Sequence, residues 1–137
     1  MKLFMQLNFG GNCAEAFHYY ERHLGGKILA LVKRSDIPGD TQNSASEEDP
    51  VIHARILIGQ TTLIGNDVPP DRFKRIRSAY LYLALDSAQE AERIYGLLAS
   101  DGEVYMPLQE TFFASRFSQF RDRFGASWTL IHERPTS

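Results

Sequence analysis

One order of elements occurs twice along this chain, and that repetition constrains its fold more than any composition figure. The first pass opens with an extended segment, Leu3 to Phe9, bounded by Gly10-Gly11. Asn12 reads as a helix N-cap, with Glu15 three residues on as its capping-box partner. Cys13, Ala16, Phe17, Tyr20 and Leu24 recur at helical spacing as one apolar stripe. Gly25-Gly26 ends the helix, because glycine tolerates the left-handed C-terminal position. Three extended segments follow: Lys27 to Arg34, Val51 to Ile58 and Thr61 to Gly65. The second pass runs from Ala79 to Asp86, then a helix capped by Ser87 with Glu90, with the stripe Ala91, Ile94, Leu97 and Leu98 and a stop at Gly102. Glu103 to Pro107, Phe112 to Arg121 and Ser127 to Glu133 complete it. The spacing predicts an α+β protein of two βαβββ modules, about 1–68 and about 77–134, within a single domain spanning 1–137.

The first pass is interrupted by SDIPGDTQNSASEEDP, Ser35 to Pro50, which is polar, acidic and without periodicity. It reads as a long mobile loop, of the kind that either covers a site or stays disordered. Its run Glu47, Glu48 and Asp49 reads as solvated. The formal net charge is -2, which argues against a nucleic-acid partner. Arg116, Arg121 and Arg123 do interleave with Phe117, Phe120 and Phe124, but strand alternation alone produces that string. A single cysteine, Cys13, forbids an internal disulfide or a cysteine-based zinc cluster and suits a reducing compartment. The N-terminal apolar run is too short for a secretion signal, and no stretch of 18 apolar residues exists. No membrane association is expected, and a cytoplasmic location follows by default.

Alternation sorts the side chains of each strand between two faces. Along Val51 to Ile58 the even positions Ile52, Ala54, Ile56 and Ile58 are apolar and should pack under a helix, leaving His53 and Arg55 on the other side. Along Ala79 to Asp86, Leu81, Leu83 and Leu85 should pack, leaving Tyr80, Tyr82 and Ala84 opposite. Gln6 and Asn8 share the second face with Phe4. A mixed polar and aromatic concave face is the usual make-up of a small-molecule pocket. Solvated surface and subunit interface are the plainer readings of the same pattern.

His53, mid-strand on the polar face beside Arg55, is the best candidate for ligand binding or catalysis; a hydrogen-bonded structural histidine is the alternative. His18 and His23 are five apart, off the spacing that aims two imidazoles at one metal, and His132 lies near the chain end. Glu110 and Glu133 are possible acids, while Asp67 and Asp122 sit in turns, where aspartate caps its own backbone. Cys13 opens a helix but also begins its apolar stripe, so packing is its expected role. An anionic ligand held by Arg55 or Arg116 would use the positive charge.

The string LNFGGNCAEAFHYYERHLGG resembles the opening strand and helix of the vicinal oxygen chelate superfamily, which includes glyoxalase I, bleomycin- and fosfomycin-resistance proteins and extradiol dioxygenases. The match is nearer to its PhnB-like branch. The motifs are His53-Ala54-Arg55, Ile58-Gly59 and Asp67, then Gln109-Glu110-Thr111-Phe112-Phe113, then Asp122-Arg123-Phe124-Gly125-Ala126-Ser127-Trp128. The resemblance implies paired βαβββ modules forming a curled eight-stranded sheet with helices on its outer face, and a homodimer. It also adds Gln109, Thr111 and Phe113 to His53, Arg55, Tyr80 and Tyr82 as ligand-binding candidates. Three functions stay open under it: a small-molecule binder, a metal-dependent lyase, isomerase or transferase, and a drug-sequestering resistance protein. No Gly-rich strand-to-helix turn for a nucleotide-type cofactor is present, and no cofactor is expected. Metal-using relatives place ligands on the first and last strands of each module. The matching positions here are Phe4 or Met5, Tyr80, Thr129 and a place within Thr61 to Gly65, none an ordinary donor for Zn, Ni, Mn or Fe. No metal is therefore expected.

Overall fold

A computed structural model of the chain describes residues 1–39 and 49–134. Residues Met1–Lys74 form one compact unit, and the residues from Arg75 on form a second. The first unit contains β1 (Met5–Phe9), α1 (Cys13–Leu24), β2 (Lys27–Lys33), β3 (Val51–Ile58) and β4 (Thr61–Asp67). The second contains β5 (Leu81–Ala84), α2 (Ala88–Leu98), β6 (Glu103–Gln109), β7 (Ala114–Arg121) and β8 (Ser127–Glu133). Each unit holds one four-stranded sheet, ordered β1-β4-β3-β2 in the first and β5-β8-β7-β6 in the second. In both, the strand before the helix pairs parallel with the last strand, and the other ladders are antiparallel. The chain is thus an α+β fold in which one topology occurs twice.

The helices sit where their apolar stripes require. Cys13, Ala16, Phe17 and Tyr20 of α1 are buried, as are Leu7, Phe9, Ala54, Ile56 and Leu63 of the sheet, and the Phe9 and Phe17 rings meet edge-on at 6.0 Å. Fully burying a ring such as Phe17 or Tyr20 is worth roughly 1.5–3 kcal/mol, so this stripe anchors the unit. At Gly65 the helix lies so close that a Cβ would fall 2.6 Å from the Phe17 ring and 3.0 Å from Cys13 Sγ. In the second unit Ala91, Ile94 and Leu98 of α2 are buried, and Tyr95 meets Phe120 edge-on at 5.9 Å.

The caps differ from expectation at both helices. Ser87 accepts the Glu90 N–H at 3.0 Å, as its sequence predicts, while the Glu90 side chain turns to Arg93 instead of closing the box. Asn12 makes no side-chain cap. Asp67 does that work from β4: its Oδ1 accepts from the Gly11 and Cys13 N–H groups, each at 3.0 Å, and its Oδ2 from Val51 N–H at 2.9 Å. The parallel register, with Phe9 beside Asp67, delivers the carboxylate to the helix start. Gly25 ends α1 in the left-handed conformation at φ 66°. At the end of α2 the left-handed residue is Asp101, φ 61°. Gly102 is needed for a different reason, since a Cβ there would lie 2.0 Å from the Arg121 carbonyl oxygen.

Two further expectations change. Ile52 is 44% exposed and Val51 is buried, because the β2–β3 ladder slips between Val32 and Lys33 and turns the start of β3 over. The segment read as a structureless loop begins with a 3-10 turn, Arg34–Asp36, and its base is tied. Ser35 donates from its N–H and its hydroxyl to Asp49, and Arg34 N–H donates to Pro50 O. Residues 40–48 of that loop, including Glu47 and Glu48, lie outside the described residues. No described helix is long and apolar enough to cross a membrane.

Candidate functional site

The face of the first sheet turned away from α1 is built by register. Gln6, Ile64, Arg55 and Ala30 are successive Cα partners across its four strands. In the next row Asn8 pairs with Asn66, and His53 with Val32. Gln6 Nε2 donates to Asn66 Oδ1 at 2.6 Å and, at a long 3.4 Å, to Asn8 Oδ1. Arg55 Nε donates to His53 Nε2 at 3.3 Å, and the guanidinium lies over the Phe4 ring, 5.4 Å from its centroid. In that contact the guanidinium can only donate, so Nε2 accepts. His53 and Arg55 are half-buried, on the face that alternation predicts.

The second sheet has a corresponding face turned away from α2. Tyr82, Thr129, Gln119 and Met106 are successive partners there, and Tyr82 is 61% exposed. Gln119 Nε2 donates to the buried Thr129 Oγ1 at 3.2 Å. Gln109 is the partner of Phe117, and Phe117, Phe113 and Phe112 form a train of edge-to-face rings at 5.1 and 5.2 Å. Tyr80 stacks at 6.1 Å on Tyr105, a ring that also carries the Arg77 guanidinium. Thr111 is committed to the turn before β7: its Oγ1 accepts Ala114 N–H at 3.1 Å and its N–H donates to Ala114 O.

Several other candidates are structural. Asp122 is buried; its Oδ1 accepts from Phe124 and Ala126 N–H and its Oδ2 from the Trp128 indole at 2.8 Å. The Asp-x-Phe-Gly-x-x-Trp motif is therefore a folding device. Arg116, considered as an anion holder, lies on the α2 side and pairs with Glu92 at 2.9 Å. Glu110 pairs with Arg134, whose guanidinium holds it below the usual carboxylate range. His132 Nδ1 sits 2.5 Å from Ser115 Oγ, His23 stacks on Tyr19, and His18 is exposed. Burial, reinforced by the Asp67 charge, pushes the Cys13 thiol up to about 12, which removes it as a nucleophile. Among the described residues no three of His, Cys, Asp and Glu converge as a metal centre would require.

Alternation alone does not select Asn66. Its face is readable within Thr61–Asp67, but its meeting with Gln6 depends on the parallel β1–β4 pairing between strands distant in sequence. Gln119 and Phe117 were legible by the same rule and carry no motif of their own.

Two βαβββ units, each with a helix on one sheet face and a polar, aromatic surface on the other, define a duplicated α+β class. The chain belongs to the glyoxalase/bleomycin resistance protein/dioxygenase superfamily, whose model matches residues 7–130. It is 30% identical to protein YjdN of Escherichia coli K12, over 99% of each chain. Among solved structures, protein PA1353 of Pseudomonas aeruginosa superposes with a TM-score of 0.87 at 38% identity, covering 98% of this chain and 99% of that one. A PhnB protein from Bacillus cereus shares the fold, with a TM-score of 0.82 at 24% identity over 96% and 99% of the two chains.

Proposed function

We propose that this chain is a PhnB-like member of the superfamily that binds a small molecule on the sheet faces turned away from its helices, without the usual metal site. It works in this reading as a cytoplasmic homodimer. The carrying observation is the half-buried Arg55, which has no carboxylate partner among the described residues and is held by His53 and Phe4. On the second sheet Tyr80, Tyr82, Gln109 and Phe113 supply rings and an amide to a ligand, and Thr111 fixes the turn that carries Phe113.

The donor set supports a site without metal. Phe4 lies against the Arg55 guanidinium, Tyr80 against Tyr105, and Thr129 accepts from Gln119. In β4 the one carboxylate, Asp67, is spent on three backbone N–H groups at the start of α1 and at Val51. These residues do not fit a Zn, Ni, Mn or Fe centre. The competing readings, a metal-dependent enzyme of glyoxalase type and a drug-sequestering protein, predict different stabilisers. A thermal-shift screen against divalent metals, metabolites and antibiotics separates them, because a ligand that binds only the folded state raises the melting temperature. A metabolite at a hundredfold excess over its Kd should add about 2.7 kcal/mol. Stabilisation by a divalent metal alone would sink this reading.

A further inference from the structure

The polar face of the first sheet carries a cation, Arg55, that has no carboxylate partner among the described residues. Four carboxylates of the same unit are committed to backbone donors elsewhere: Glu21 to Ile28, Asp36 to Lys33, Asp49 to Ser35 and Asp67 to the start of α1. Arg55 is not mobile surface charge. Its Nε is used on His53 and its plane is backed by Phe4, so the fork of its two terminal nitrogens is oriented and has no partner among the described residues. Such a preorganised fork matches the two oxygens of a carboxylate or phosphate group in a bidentate pair.

The neighbouring amides suit the same guest. Gln6 donates to the oxygens of Asn66 and Asn8, which leaves the Asn8 amide group as a donor on the open face. Asn66 spends only a long 3.4 Å contact on the Asp67 carbonyl. Asn66 lies diagonal to Arg55 on the adjacent strand and Asn8 one strand further in the same row, so the three side chains share one face. We infer that this face binds the oxyanion of a small acid, a carboxylate or a phosphate-type group, with Arg55 as its bidentate anchor and Asn8 and Asn66 as supporting donors. The inference rests on the small-molecule reading above and narrows it to anionic ligands.

The test is an NMR titration of the 15N-labelled full chain with inorganic phosphate, methylphosphonate and acetate, against sodium chloride at matched ionic strength. The expected result is a saturable shift of the Arg55 Nε–H and of the Asn8 and Asn66 side-chain amides. Arg55→Gln should weaken it by about tenfold or more, since it removes a charge-assisted bidentate pair. Arg55→Lys, which keeps the charge and loses the fork, should fall between the two. The ratio of phosphate to acetate affinity identifies the kind of oxyanion. Shifts no larger than chloride produces, or equal affinity in wild type and Arg55→Gln, would overturn the inference. A neutral compound from the thermal-shift screen that binds this face equally in Arg55→Gln would also overturn it while leaving the small-molecule reading standing. If no compound stabilises the protein, that broader reading fails too. The wild-type titration decides even if a variant does not fold.

Discussion

At the residue scale, two aspartates carry more of the structure than any candidate ligand does. Asp122 satisfies two backbone N–H groups of its own turn and the Trp128 indole from a buried position. Removing it leaves three donors without their acceptor, each costing about 1–3 kcal/mol when buried. Asp122→Ala should therefore lower stability by about 3–5 kcal/mol, read as a lower denaturant midpoint at unchanged slope. A loss below about 1 kcal/mol would mean that water replaces the carboxylate and that the motif is not a folding device. The exposed Glu90–Arg93 pair, at 2.5 Å, is worth a small fraction of that despite its length. Sequence reasoning placed both Asp67 and Asp122 in turns, capping nearby backbone. That is right for Asp122, whose partners are local. It misses Asp67, whose helix-capping partners Gly11 and Cys13 are brought near only by the parallel β1–β4 ladder. The same blindness hid Asn66 and credited Arg116 to a ligand when its partner, Glu92, lies on the packed helix.

At the scale of elements, glycines discriminate between close packing and spare helical positions. Gly65 is where α1 presses on β4, and neither neighbour can retreat, since Phe17 and Cys13 are fully buried. Gly96 sits inside α2 with nothing within 4 Å of an added Cβ. Gly65→Ala should cost about 1–3 kcal/mol by overpacking. Gly96→Ala should stabilise by about 0.5–1 kcal/mol, because alanine restricts the unfolded chain and favours helix. Paired thermal melts check both signs, and a Gly65→Ala protein as stable as the parent would contradict the described helix–sheet contact. The elements themselves were legible because helical and alternating periodicities are local properties. Their irregularities were not. The slip that exposes Ile52 belongs to the pairing of β3 with β2, and the approach of Arg121 to Gly102 belongs to tertiary packing. Neither leaves a mark on the periodicity of its own segment.

At the scale of the whole molecule, the repeated element order returned as a repeated topology, with β1-β4-β3-β2 in one unit and β5-β8-β7-β6 in the other. A duplicated scaffold does not oblige its members to keep one chemistry, since function depends on the side chains a site presents. On the first sheet those side chains are an arginine and amides, and on the second they are rings and amides. A catalytic metal needs three or more N or O donors free to converge. Three of the alternative donors have prior commitments. Gln6 is bonded to Asn66, His53 Nε2 accepts from Arg55, and Glu110 is paired with Arg134. A metal bound at any of them would break its contact, and at His53 would also bring a divalent cation beside the Arg55 guanidinium, a like-charge cost. Protein purified without chelator should therefore carry well under about a tenth of an equivalent of Zn, Ni, Mn or Fe per chain by elemental analysis. Adding these metals should leave the melting temperature unchanged, because a ligand without affinity for the folded state adds no stability. Near one equivalent per chain, lost on substituting Gln6, His53, Glu110 or Glu133, would show that the metal centre was rebuilt from other residues, and the metal-free reading would fall.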